Sequence, residues 1–173
     1  MSLYQIGDKG IDKRGRVFVV ETIQEKDFGA GPSDYLIMKP CFPYDLTPDY
    51  RFFVPADKAN NILHPVLTDS EALDLIDSLN ELDLFPDLGP RERKIQFQTA
   101  VSSGERKDIC RVIKTLKAYR EKRKLENKPF SDFDHRLLDS LVSMIGDEMS
   151  IALNIPEKDI NDFIKERTGS YLF

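Results

Sequence analysis

The sequence predicts an α+β protein in which a small antiparallel β-barrel precedes an all-helical domain. Before residue 60, short runs of β-branched and aromatic residues alternate with turn-forming residues, a pattern typical of strands. After Thr68, apolar residues recur at helical spacing instead. The change of pattern falls at His64-Pro65, so we place one domain over residues 1–63 and a second over residues 64–173.

The strands of the first domain are predicted from short segments rich in β-branched and aromatic residues. They are Ile6–Ile11, Arg16–Ile23, Asp34–Lys39 and Tyr50–Val54. The Gly- and Pro-containing stretches at residues 29–33 and 41–49 are predicted to be loops. Four or five short strands in this space indicate a small antiparallel barrel of the SH3 or Tudor type.

Capping and proline signals bound the helices of the second domain. Thr68 with Glu71, and Ser102 with Glu105, have the spacing of capping boxes. Pro90 suits the first position of a helix, where the missing N–H has no cost. The helices are predicted over about residues 68–82, 90–101, 105–125 and 132–153, with Ser131 capping the fourth and a final helix from Pro156 to near Gly169.

The segment from Pro90 to Lys128 is strongly basic within an acidic chain. Its thirteen basic and five acidic residues give +8, which leaves −13 for the rest of a chain whose total is −5. Folding does not require such segregation, because mixed signs keep a surface soluble equally well. A positive field of this kind attracts a polyanion. The alternative is a solvated helix face, which the charge imbalance disfavours.

Composition indicates a soluble globular protein, with 40% hydrophobic and 32% charged residues. No apolar run is long enough to span a membrane, and the N-terminal residues lack the basic and apolar regions of a signal peptide. Cys41 and Cys110 form no CxxC motif, which favours two reduced thiols. We therefore expect a cytoplasmic monomer without a membrane partner.

Catalytic signatures are missing from the sequence, which contains no GxxxxGK, HExxH or GxSxG. The only two histidines, His64 and His135, are assigned to a linker and to a solvated first helical turn. Cys110 lies beside an apolar stripe and is interpreted as a small core or boundary residue. We expect no catalysis, no cofactor and no metal ion.

Short motifs follow one another in a fixed order over nearly the whole chain. They are Ile6-Gly7-Asp8, Gly15, Val17–Ile23, Val54-Pro55-Ala56-Asp57-Lys58-Ala59, His64-Pro65-Val66, Ser103-Gly104-Glu105, Ile109–Leu116, Phe130-Ser131 and Asp147–Leu153. None is specific alone, but their order and spacing are. In these features the chain resembles the CarD family of bacterial transcription regulators.

The resemblance implies a Tudor-like first domain that docks on the β subunit of RNA polymerase, a module also found in transcription-repair coupling factors. It implies a helical second domain that contacts promoter DNA near the upstream edge of the transcription bubble and modulates open-complex stability. It implies no enzymatic activity. Relatives carry a tryptophan near the position of Pro90, whereas this chain has no Trp.

The resemblance also implies candidate polymerase-binding residues, namely Lys26, Arg51 and Phe53. Relatives carry a basic residue where Phe53 stands; Arg51 precedes it by two positions, on the same face of the strand. The alternative is that all three are ordinary strand residues, with Phe53 in the barrel core.

The candidate DNA-binding residues are basic side chains of two predicted helices. They are Arg91, Arg93, Lys94, Lys107, Arg111, Lys114, Lys122 and Arg123. The first three lie at a helix N-terminus, which suits phosphate contacts. Lys107, Arg111, Lys114 and Lys122 are predicted to project from the face opposite the apolar stripe. Because no paired Asn or Gln is placed to read adenine, mainly phosphate contacts are expected.

A second interpretation of the same features stays open at this point. The chain could be a stand-alone nucleic-acid or ribosome-associated binding protein that uses a Tudor-like barrel. Co-purification with RNA polymerase separates the two interpretations. The sequence does not decide between activation and repression, or identify the target promoters.

Overall fold

The structure, a computed structural model, describes residues 4 to 173. The first three residues, which belong to the N-terminal stretch assessed above for a signal peptide, lie outside the described residues. The described chain is α+β, as predicted, and divides into two compact units between Leu67 and Thr68. The expected boundary lies four residues earlier. The difference arises because His64 and Pro65 pair with the first strand. None of the described helices combines the length and the apolar character needed to cross a membrane.

The first unit contains a five-stranded sheet in the order β4-β3-β2-β1-β5. Its strands are β1 (Lys9–Ile11), β2 (Val17–Lys26), β3 (Ser33–Pro40), β4 (Phe52–Pro55) and β5 (His64–Pro65). Every neighbouring pair is antiparallel. The sheet curls into a half-barrel. Its two edge strands are β4 and β5, the ends of the strand order.

One face of this sheet carries the core of the first unit. Leu36 pairs with Val54, and Val20 pairs with Met38, so these side chains share that face. A 3₁₀ turn at Ala56–Lys58 and helix α1 (Ala59–Ile62) follow β4. The buried members of the core are Phe18, Val20, Leu36, Met38, Val54, Ala59 and Leu63.

The second unit contains five α-helices and a 3₁₀ turn at Leu79–Glu81, which follows the first of them. The α-helices are α2 (Asp69–Ser78), α3 (Pro90–Ser102), α4 (Arg106–Leu125), α5 (Asp132–Leu153) and α6 (Glu157–Thr168). The capping box of Thr68 with Glu71 is confirmed, as are the Ser131 cap and the position of Pro90. Gly169, with φ of 80°, ends α6 in the left-handed conformation that favours glycine.

The predicted capping box of Ser102 with Glu105 is wrong. Helix α3 continues through Ser102, and Glu105 occupies the N-cap position of α4 without a side-chain cap. Gly104, with φ of 74°, makes the tight turn between the two helices. The Ser103 hydroxyl instead accepts a hydrogen bond from the Glu105 N–H at 3.2 Å.

The core of the second unit is built from the apolar stripes of all five helices. Its fully buried side chains include Ile76, Phe97, Ile113, Leu116, Ile145, Met149, Ile160 and Ile164. Cys110 is fully buried, so of the two expected positions, core or boundary, it occupies the core. Burial, followed by the charge of Glu148, raises the pKa of the Cys110 thiol to about 12. The thiol is therefore protonated and unreactive at neutral pH.

Candidate nucleic-acid interface

The structure separates the eight predicted DNA-binding cations into two groups. Five donate hydrogen bonds to other parts of the second unit: Arg93, Arg111, Lys114, Lys122 and Arg123. The remaining three, Arg91, Lys94 and Lys107, are exposed, and their side chains form no hydrogen bond or ion pair with residues 4–173. The number of cations in the segment therefore overstates how many side chains are free to contact a ligand directly.

Part of α4 is covered by an irregular segment, residues 82–89, which we call the strap. The Lys114 ammonium donates to the carbonyls of Leu79 and Leu82 at 2.6 and 2.9 Å. The Arg111 guanidinium donates to the Asp83 carbonyl at 3.0 Å and lies 4.1 Å from the centre of the Phe85 ring. Arg111 and Lys114 were predicted to project from the face opposite the apolar stripe; in the structure both contact the strap, where the Leu82 and Asp83 carbonyls accept their hydrogen bonds.

Two further side chains of α4 hold the strap. The Thr115 hydroxyl accepts a hydrogen bond from the Phe85 N–H at 3.0 Å. The Lys122 ammonium donates to the Asp87 carboxylate at 2.6 Å. This hydrogen bond lowers the pKa of Asp87 and raises the pKa of Lys122. Because both side chains are more than half exposed, at 63% and 53%, the pair adds little stability.

Replacing Thr115 by valine is expected to destabilise the protein by about 1–3 kcal/mol, because the Phe85 N–H loses its acceptor where Thr115 is only 9% exposed. Urea unfolding followed by circular dichroism measures the change. Thr99→Val is the matched control, since the exposed Thr99 hydroxyl bonds only to the Ile95 carbonyl of its own helix. Equal losses of unfolding free energy in the two variants would show that the hydrogen bond between Thr115 and the strap does not stabilise the protein.

Arg93 forms an internal bridge between α3 and α5. Its guanidinium donates to the Asp134 carboxylate at 3.0 Å, and the two side chains are only 12% and 4% exposed. The same guanidinium lies 4.1 Å from the centre of the Tyr119 ring. Asp134 also accepts from the Ser131 hydroxyl at 2.9 Å. Arg93 is therefore already engaged within the fold, unlike its neighbour Arg91.

The beginning of α3 and the end of α4 lie side by side, and we call this place the junction. Tyr119 of α4 has the guanidinium of Arg93 at 4.1 Å and that of Arg123 at 5.8 Å from its ring centre. Arg91 and Lys94 lie in the first turns of α3, and Lys124 lies in the last turn of α4. Lys124 is also exposed and forms no hydrogen bond or ion pair with the described residues through its side chain. The junction therefore collects three cations without such partners.

Lys107 is far from the junction. It lies at the other end of α4, seventeen residues before Lys124, which corresponds to about 25 Å along a helix. The eight predicted residues therefore do not form one continuous surface.

Two exposed apolar side chains accompany the junction cations and were not singled out from the sequence. Ile95 is 56% exposed on α3, and Phe133 is 41% exposed near the beginning of α5. The Lys94 ammonium lies 5.0 Å from the centre of the Phe133 ring. Phe97 of α3 is only 1% exposed and belongs to the core. The helical pattern of α3 could have identified Ile95, because its other apolar residues lie on a different face.

The three candidate polymerase-binding residues lie around the outer face of the first unit's sheet. Phe53 is 42% exposed, while its neighbour Val54 is fully buried, so Phe53 is not in the core. Lys26 ends β2, which alternation places on the same face as Phe53. The Arg51 guanidinium donates to both carboxylate oxygens of Glu21, at 2.6 and 3.1 Å. These hydrogen bonds lower the pKa of Glu21.

An aromatic cluster surrounds Phe53 on this face. Phe28, which is 63% exposed, contacts the rings of Tyr35 and Phe53 with centre-to-centre distances of 4.9 and 5.8 Å. The loop that carries Phe28 is ordered by Asp27, whose carboxylate accepts from the N–H groups of Gly29 and Gly31. Sequence reasoning missed Phe28 because it lies between the predicted strand Arg16–Ile23 and the predicted loop at residues 29–33. The Asp-x-Gly-x-Gly spacing of that loop was the available signal.

Comparison with known protein families and with curated proteins found no match for this chain.

Proposed function

We propose that this protein is a transcription regulator that docks on the β subunit of RNA polymerase through its first unit and contacts promoter DNA through its second, modulating open-complex stability. The observation that carries the proposal is the junction, where Arg91, Lys94 and Lys124 are exposed without internal ion-pair or hydrogen-bond partners. Most neighbouring cations are used by the fold, so these three are the ones available to a polyanion. The resemblance to CarD regulators is the reason for naming RNA polymerase and promoter DNA as the binding partners.

The curled sheet of the first unit is, in this proposal, a Tudor-like barrel. Its docking surface is the aromatic cluster of Phe28, Tyr35 and Phe53, with Lys26 and Arg51 near it. Exposed apolar patches bordered by charged residues are typical of protein–protein contacts. The neighbouring strand β4 is a sheet edge, which can pair with a strand of a partner.

Contacts with DNA are proposed to be mainly to phosphates. Lysine and arginine dominate the junction, and side chains that read base edges are few. Gln96 is half-buried while Gln98 is exposed, so the two amides do not form a paired reader of adenine. The polymerase-bound first unit then raises the local concentration of the DNA-contacting unit.

Charge reversal at Lys26 and Arg51 together is expected to weaken capture of the polymerase β subunit and to leave duplex binding unchanged. The physical reason is that both cations border the exposed aromatic cluster, whereas the junction cations belong to the other unit. A pull-down with purified β subunit and an anisotropy titration with duplex DNA measure the two effects. Capture that is unchanged in the double variant would move the docking surface elsewhere.

The matched control is charge reversal at Lys13 and Arg14, which are exposed between β1 and β2 of the same unit. Glu21→Gln is informative in the opposite direction, because it weakens the ion pair that engages Arg51. If the unaltered chain binds DNA but captures no polymerase, the stand-alone nucleic-acid-binding interpretation replaces this one.

A further inference from the structure

An apolar pocket of about 160 Å³ lies between the strap and α4. Leu84, Phe85 and Pro86 of the strap form one side, and Ala118 and Tyr119 of α4 form another. A cavity of about 150 Å³ with apolar walls holds a benzene ring. The pocket therefore has room for one aromatic ring.

Polar groups at the solvent end complete this pocket. Asp87 and Lys122 both line it, are bonded to each other at 2.6 Å and stay more than half exposed. They present a carboxylate acceptor and an ammonium donor next to apolar walls, which is the composition expected of a small-ligand site. A ring that carries hydrogen-bonding groups on its edge matches this arrangement better than a purely apolar one.

Two arginines hold the aromatic walls in place. The Arg93 guanidinium lies 4.1 Å from the centre of the Tyr119 ring, and the Arg111 guanidinium lies 4.1 Å from the centre of the Phe85 ring. Arg93 is itself fixed by Asp134, and Arg111 by the Asp83 carbonyl. Since the rings are already ordered, a ligand loses little binding free energy in ordering them.

The charge around the pocket selects the kind of ligand. The cations that line the pocket are Arg93 and Lys122. Arg91, Lys94 and Lys124 do not line it, but lie one or two residues from those positions along α3 and α4. All three are exposed and lack ion-pair partners among the described residues. A ring-sized apolar pocket, with long cationic side chains at neighbouring helix positions, offers the two components that bind single-stranded nucleic acids, a surface for a base and positive groups for the backbone.

We propose that this pocket receives one unstacked base of a locally single-stranded nucleic acid, with the adjoining phosphates on the junction cations. The base must be unstacked, because neighbouring base pairs cover the ring faces inside a duplex. The proposal rests on the proposed function, since it assigns to the DNA-contacting unit a preference for opened over closed DNA.

The test compares full-length protein binding to a duplex with binding to the same duplex carrying a five-nucleotide unpaired stretch. The opened DNA is expected to bind about tenfold more tightly, as stacking of one base on aromatic side chains provides. Removing the bases of that stretch as abasic sites is expected to abolish the advantage. Ala118→Phe fills the pocket and is expected to abolish it too, whereas Ala30→Phe, in an exposed loop of the first unit, retains it.

Leu84→Ala provides a second variant, because the Leu84 side chain is 48% exposed and its loss removes a wall without emptying the core. It is expected to reduce the advantage of opened DNA about threefold. If Ala118→Phe and Leu84→Ala both keep the full preference, the proposal is overturned while the proposed function stands. If Ala118→Phe loses polymerase capture but keeps the preference, the pocket holds a side chain of a protein partner and the proposal is equally overturned. If the unaltered chain binds neither DNA, both proposals fail.

Discussion

Replacing Arg93 by methionine is expected to lower the free energy of unfolding by about 3 kcal/mol, at the lower end of the range for breaking a buried ion pair. The carboxylate of Asp134, only 4% exposed, then keeps its Ser131 hydrogen bond but loses the cation that compensates its charge. Methionine preserves much of the apolar stem, so the change tests the charge and not the packing. Urea unfolding followed by circular dichroism is the measurement. The slope of the unfolding free energy against urea concentration should stay unchanged.

Arg91→Met is the control, two residues away on the same helix. The Arg91 side chain is exposed and without a partner among the described residues, so its loss is expected to stay within about 0.5 kcal/mol. The double variant Arg93→Met, Asp134→Leu removes both charges and is expected to recover most of the lost stability. An Arg93→Met protein as stable as the unaltered chain would contradict the structural role assigned here.

Features of the fold that depend on neighbouring residues were predictable from the sequence. Thr68 with Glu71, Ser131, and Pro90 each act within one helical turn, so their spacing carries the information. The box of Ser102 with Glu105 has the same spacing but did not form. Gly104 adopts a positive φ and lets α3 run to Ser102 before the chain turns. A capping pattern alone does not show whether the preceding helix has already ended.

The candidate site was less predictable because it depends on contacts between distant residues. Helical periodicity placed Lys114 and Lys122 on a polar face, but their partners, Leu82 and Asp87, lie 32 and 35 residues away. The unpaired carbonyls of an irregular segment require donors, yet the sequence does not identify which helix supplies them. Net charge therefore located the basic region, whereas the division between engaged and available cations emerged only from the structure.

Replacing Arg91, Lys94 and Lys124 together by alanine is expected to make duplex binding much less sensitive to salt. Each phosphate contact contributes about 0.9 to the slope of log affinity against log salt. Three contacts contribute about 2.7 to the magnitude of this slope. The unaltered chain, with three to six contacts, is expected to have a slope of about −3 to −5. The slope of the triple variant should therefore be much closer to zero. Over a fourfold rise in salt, a slope of 2.7 corresponds to a loss of about 40-fold in affinity, and this component should disappear. Anisotropy titrations across salt concentrations, on matched and scrambled promoter duplexes, measure the change.

The control for this experiment removes three exposed cations of the first unit, Lys13, Arg14 and Lys58, and so changes the net charge equally. Lys107→Ala tests the distant end of α4 and is expected to change the slope less than any junction variant. If the control triple weakens binding as much as the junction triple, overall charge and not the junction attracts the DNA. A flat salt dependence of the unaltered chain, or strong preference for one duplex sequence, would instead contradict a phosphate-dominated contact, because released counterions are what produce the slope.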